Sequence, residues 1–128
     1  MFRIIATLAL IFSITLTGFS QNRSAWIFGT WEGTGYQTDT DETWTMRFII
    51  KGNKYLIEYP SLKCGGEWRL ISINSKEARF RERINYGKDN CVNNGLVVIQ
   101  RLSNRQVVSL YSNAGSNEIT ASAVLNRR

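Results

Sequence analysis

Trp44-Thr45-Met46-Arg47-Phe48-Ile49-Ile50, then Lys51-Gly52-Asn53-Lys54, then Tyr55-Leu56-Ile57-Glu58-Tyr59-Pro60 reads as a β-hairpin. Successive side chains of a strand point to opposite faces. Trp44, Met46, Phe48 and Ile50 therefore share one side of the first arm, and Thr43, Thr45 and Arg47 take the other. Lys51 to Lys54 supply the turn, and Tyr55, Ile57 and Tyr59 resume the apolar side. Pro60 ends the second arm, because it has no N–H to give to a ladder.

The same alternation runs outward in both directions. Before the hairpin, Trp31, Gly33 and Gly35 fall opposite Thr30, Glu32, Thr34 and Tyr36, and the two glycines suit a strand that bends in a small barrel. After it, Trp68, Leu70 and Ser72 oppose Glu67, Arg69, Ile71 and Ile73. Ala78, Phe80, Glu82, Ile84 and Tyr86 then oppose Arg79, Arg81 and Arg83. Strands are expected at 96–102, 106–111 and 118–125, the last with Ile119, Ala121, Ala123 and Leu125 on one side. The predicted fold is all-β, an eight-stranded antiparallel meander over residues 29–128. Closing the meander removes its two free edges, and the short connections favour a small closed or nearly closed barrel over a β-sandwich, the competing architecture. An eight-stranded barrel is filled by its own side chains or holds one small ligand.

The 128 residues allow one domain, with 16 Lys+Arg against 10 Asp+Glu, a net charge of +6, two Cys, one Pro and no His. Without His there is no imidazole metal ligand and no Ser-His or Cys-His dyad. The chain also carries no Gly-x-Ser-x-Gly elbow and no phosphate-binding glycine loop. No enzyme activity, cofactor or metal is expected. Residues 1–20 read as a signal peptide: Arg3, an apolar run over 4–16, then Gly18 and Ser20 before a cut at Gln21. The alternative is a retained membrane anchor, for which the run is short of the roughly 20 apolar residues a span needs. Residues 21–28 are read as an N-terminal extension, and the mature protein is expected to be secreted or periplasmic, and monomeric. Export places Cys64 and Cys91 in an oxidising compartment, where one disulfide is the simple reading, worth roughly 3–4 kcal/mol. A pair of reactive thiols is the alternative, without the support of a Cys-x-x-Cys spacing.

Two resemblances add to this. Gly29-Thr30-Trp31 resembles the Gly-x-Trp start of lipocalin-like and avidin-like barrels. That likeness implies a Trp closing one barrel end beneath a basic residue from a late strand, here Arg127 or Arg128. Tyr59-Pro60-Ser61-Leu62, Cys64-Gly65-Gly66, Phe80-Arg81-Glu82-Arg83-Ile84, Tyr86-Gly87, Cys91 and Gly95 together resemble a small bacterial module. The module occurs as exported proteins and appended to bacterial kinases and caspase-like proteases. It implies a disulfide-stapled β-domain and no reaction.

Glu82 is the most informative polar position. Its parity with Phe80 and Ile84 predicts an inward carboxylate, which must find donors or a cation. Tyr55, Tyr59 and Trp68 are the candidate partners. Such a group either sets strand register within a buried network or anchors a ligand. The ligand reading places a small apolar or aromatic molecule at the open end, against Trp44, Tyr55, Tyr59, Trp68 and Glu82. Filled core and ligand cavity both remain open on the sequence. The alternative function is an envelope interaction module whose Arg79, Arg81 and Arg83 face docks an acidic protein, anionic lipid or acidic polysaccharide. A solvated outer face explains the same stripe. Nucleic acid is not expected, since no aromatics alternate with the arginines as a stacking platform. Asp39, Asp41 and Glu42 read as a solvated turn rather than a Ca²⁺ loop. A hydrolase pairing Glu82 with Asp39 or Asp41 would need two carboxylates in one cleft, and parity turns only Glu82 inward.

Overall fold

A computed structural model describes residues 25–128. The signal segment, its cut before Gln21 and the anchor alternative lie outside the described residues. Eight strands form one closed antiparallel barrel: β1 Gly29–Gln37, β2 Thr43–Lys51, β3 Lys54–Tyr59, β4 Cys64–Ile73, β5 Glu77–Tyr86, β6 Leu96–Arg101, β7 Gln106–Ser112 and β8 Ile119–Arg127. Each strand pairs with the next, and β8 pairs with β1 from Trp31↔Arg127 to Gln37↔Ala121. The meander closes as its alternation predicts. Among the described residues no helix is long and apolar enough to cross a membrane.

The half of the barrel that holds the β2–β3 turn is solid. Trp31 stacks on Phe48 at 5.9 Å between ring centroids, Phe48 meets Trp68 at 5.0 Å, and Trp68 stacks on Phe80 at 5.0 Å. All four side chains are buried. Residues 25–28, read as an extension, belong to this core: a short 3₁₀ turn at Ala25–Ile27 buries Trp26 and Ile27 across the barrel end. Trp31 Nε1 donates to the Ile27 carbonyl at 3.0 Å, and Trp26 Nε1 to that of Asn74 at 2.7 Å. Of the two late arginines, Arg127 lies over the Trp31 ring, 4.2 Å from its centroid. Its guanidinium also donates to the carbonyls of Trp26, Phe28 and Asn104, so one cation locks the turn to the last strand. Arg128 instead pairs on the outside with Glu32 at 3.1 Å.

Three predicted faces are corrected by irregular pairing. Between Leu70↔Phe80 and Ser72↔Arg79 the register shifts, and Ile71 is the extra residue. Leu70 and Ile71 are exposed as a result, and Ile73 returns to the inner side opposite Ala78. A second shift between Gly65↔Tyr86 and Gly66↔Ile84 makes Asn85 the extra residue and turns Tyr86 out, leaving it 49% exposed. A third, between Tyr111↔Ala121 and Ser112↔Ile119, does the same to Ile119. A bulge reverses inside and outside for every residue beyond it.

Candidate functional site

The opposite half of the barrel is hollow. A cavity of about 160 Å³ opens at the mouth formed by the ends of β1, β3, β5 and β7 and the starts of their partners. Its cause is side-chain volume. At this level β7, β8 and β1 turn Ser109, Ala121, Ala123 and Gly35 inward, where the solid half has Trp31, Phe48, Trp68 and Phe80. Two glycines seat aromatic walls. A Cβ on Gly35 would collide with the Trp44 indole, and one on Gly95 with the Tyr111 ring. Both rings therefore pack directly against bare backbone at the cavity's edge.

Glu82 sits at the base of this hollow, 2% exposed. Its backbone is held by the extension of the β5–β6 ladder, the N–H donating to Gly95 and the carbonyl accepting from Asn94. Its Oε2 accepts from Tyr59 Oη at 2.5 Å and from Trp68 Nε1 at 2.9 Å. Among the described residues no donor reaches Oε1, and the hydroxyl of Tyr111, which lines the same cavity, is buried without a partner. Burial raises the carboxyl's pKa above its ordinary value, opposed in part by the hydrogen bonds from Trp68 and Tyr59. Burial, then the Glu82 charge, pushes the Tyr111 hydroxyl up to about 12. Tyr59 is raised well above 10.0 by burial first, and then by Glu82. Both hydroxyls therefore stay protonated at neutral pH.

The mouth is made of short irregular segments, each tied down. A 3₁₀ turn at Pro60–Leu62 brings Leu62 to the rim, and Ser61 and Thr45 exchange N–H···Oγ hydrogen bonds of 2.9 and 3.0 Å that fix it to β2. The Cys64–Cys91 disulfide, with Cα atoms 6.3 Å apart, ties the loop over 87–95 to the start of β4. That loop places Asn90, Cys91 and Val92 on the rim. Glu42, from the β1–β2 turn, lines it from the other side.

Of the five residues expected around a ligand, the structure brings Trp44, Tyr59 and Glu82 together on the cavity wall. Tyr55 and Trp68 have the expected inward parity but the wrong height. Tyr55 pairs with Ile50 one step from the β2–β3 turn and packs on Phe80 at 5.4 Å, in the solid half. The Trp68 ring lies between Phe48 and Phe80, and only its N–H reaches the site. Sequence reasoning missed Tyr111, Glu42, Leu62 and Val92. Tyr111 was within reach, since it alternates with Val107 and Ser109; the other three lie on turns without periodicity. Asp39 and Asp41 do not line the cavity, and Asp41 instead accepts the Tyr36 hydroxyl.

Arg79, Arg81 and Arg83 lie on the outer surface of β5, and Arg69 stands across from Arg81. Part of the stripe is engaged at home: Arg79 pairs with Glu77 at 3.2 Å, and Arg81 donates to the Asn94 carbonyl at 3.0 Å. No protein-family model, curated protein or solved structure matches the chain.

Proposed function

We propose that this chain is an exported, non-enzymatic β-barrel binding domain that holds one small apolar or aromatic ligand in the open half of its barrel. The observation that carries this reading is the hollow itself: about 160 Å³, walled by Trp44, Tyr59 and Tyr111, with the Glu82 carboxylate at its base accepting both of its hydrogen bonds from described residues on one oxygen. A cavity of roughly 150 Å³ lined by apolar side chains accommodates a molecule of benzene's size. A mostly apolar concavity with a few convergent polar groups is the usual form of a small-molecule site. The disulfide is compatible with a compartment outside the cytoplasm, where such a bond persists.

Benzyl alcohol is a suitable neutral probe. Its addition is expected to shift the backbone amide resonances of Val97, Ser109 and Tyr111 and to change the fluorescence of Trp44. Ala123→Phe, which fills the hollow from β8, is expected to abolish both responses and leave the amide spectrum of a folded barrel. Binding that persists in Ala123→Phe, or shifts confined to the outer face, would contradict the reading.

A further inference from the structure

The cavity's charge runs against that of the whole chain. The protein carries 16 Lys+Arg and a net charge of +6, yet among the described residues its cavity is lined by Glu82 and Glu42 and by no Lys or Arg. Arg47, Arg79, Arg81, Arg83, Arg127 and Arg128 are all spent elsewhere, on the outer surface or beneath the closed end. A carboxylate taken out of water is ordinarily matched by a cation, because its desolvation is otherwise uncompensated. Glu82 is buried with two neutral donors on one oxygen and none on the other among the described residues. A cation held in the hollow that Glu82 lines would supply the missing counter-charge.

From these observations, and resting on the binding-domain reading above, we infer that the ligand is a small organic cation, a primary amine on a single ring or short apolar body, whose ammonium group meets Glu82 Oε1. The walls suit such a molecule on both counts. Trp44, Tyr59 and Tyr111 offer aromatic faces, which attract a cation as well as an apolar ring. The Tyr111 hydroxyl, buried and without a partner among the described residues, has a lone pair that can accept a second ammonium hydrogen. At a carboxylate buried as deeply as Glu82 the pairing is screened far less than at the surface. Glu42 at the rim adds a second negative charge on the entry path and disfavours anions.

Benzylamine and benzyl alcohol differ chiefly in the charge, so the pair isolates it. By titration calorimetry at pH 8, benzylamine is expected to bind about tenfold more tightly than benzyl alcohol, the difference between a charge-assisted and a neutral hydrogen bond. Glu82→Gln keeps an acceptor for Tyr59 and Trp68 and is expected to erase the preference while still binding benzyl alcohol, which doubles as a check on its fold. Glu42→Gln, at the exposed rim, is expected to reduce the preference without touching the core. Equal affinities, or tighter binding of benzyl alcohol, would overturn the cation inference and leave the binding domain standing. A barrel that binds neither probe would overturn both.

Discussion

Trp68→Ala is expected to lose about 3–5 kcal/mol of folding free energy. The side chain is buried and bridges Phe48 and Phe80, each at 5.0 Å, so its removal opens a hole in the middle of the solid half. The two flanking rings are fixed on different strands, β2 and β5, and collapse only partly into the space. The same change strips Glu82 of one of its two donors, leaving a buried carboxyl oxygen with Tyr59 alone. For a domain of this size the melting temperature should fall by roughly 15–30 °C. Trp68→Phe separates the two contributions: it retains most of the stack and loses the N–H, at about 1–3 kcal/mol. Urea denaturation of the three proteins gives the comparison. A Trp68→Ala cost below about 1.5 kcal/mol would mean that this half of the barrel is not filled as described.

Cys64→Ser with Cys91→Ser is expected to cost about 3.5 kcal/mol, the chain entropy of closing a loop across the 27 residues that separate the two cysteines. The consequence reaches the mouth, because the bond is what holds Asn90 and Val92 at the rim. Loss of the bond frees the loop over 87–95, and the affinity for benzyl alcohol is expected to fall with the stability. Denaturation of the native protein with and without reductant, beside the double variant, makes the measurement. Unchanged stability after reduction would show that the mouth is held by its hydrogen bonds alone, among them those that Asn93 Oδ1 accepts from Ile84 and Asn94.

The barrel was legible because the β2–β3 hairpin alternates without interruption, and its neighbours follow suit until a bulge intervenes. Leu70, Ile73, Tyr86 and Ile119 lost their predicted side for one reason: a bulge is a relation between two strands, and one strand's sequence does not contain it. The inward Glu82 and the Trp31–Arg127 closure could be read, the first from parity and the second from a motif and a terminal arginine. The height of each residue along the barrel could not. Tyr55 and Tyr59 lie on the same face of β3, yet register puts one in the core and the other on the cavity wall. The hollow itself arises from small residues on the first strand and the last two, Gly35, Ser109, Ala121 and Ala123, whose joint effect exists only once the sheet closes.

Glu82 is an acid buried at the base of an open hollow, and the titration of that one group is the most direct test of its place there. Folded protein that holds the Glu82 proton more tightly than the unfolded chain must lose stability as pH rises from the ordinary glutamate value of 4.5 through the folded midpoint. Followed by its ¹³C carboxyl resonance, Glu82 is predicted to titrate above 4.5, with stability falling over the same interval and the fall absent in Glu82→Gln. A Glu82 midpoint at or below 4.5, with stability flat across that range, would contradict it.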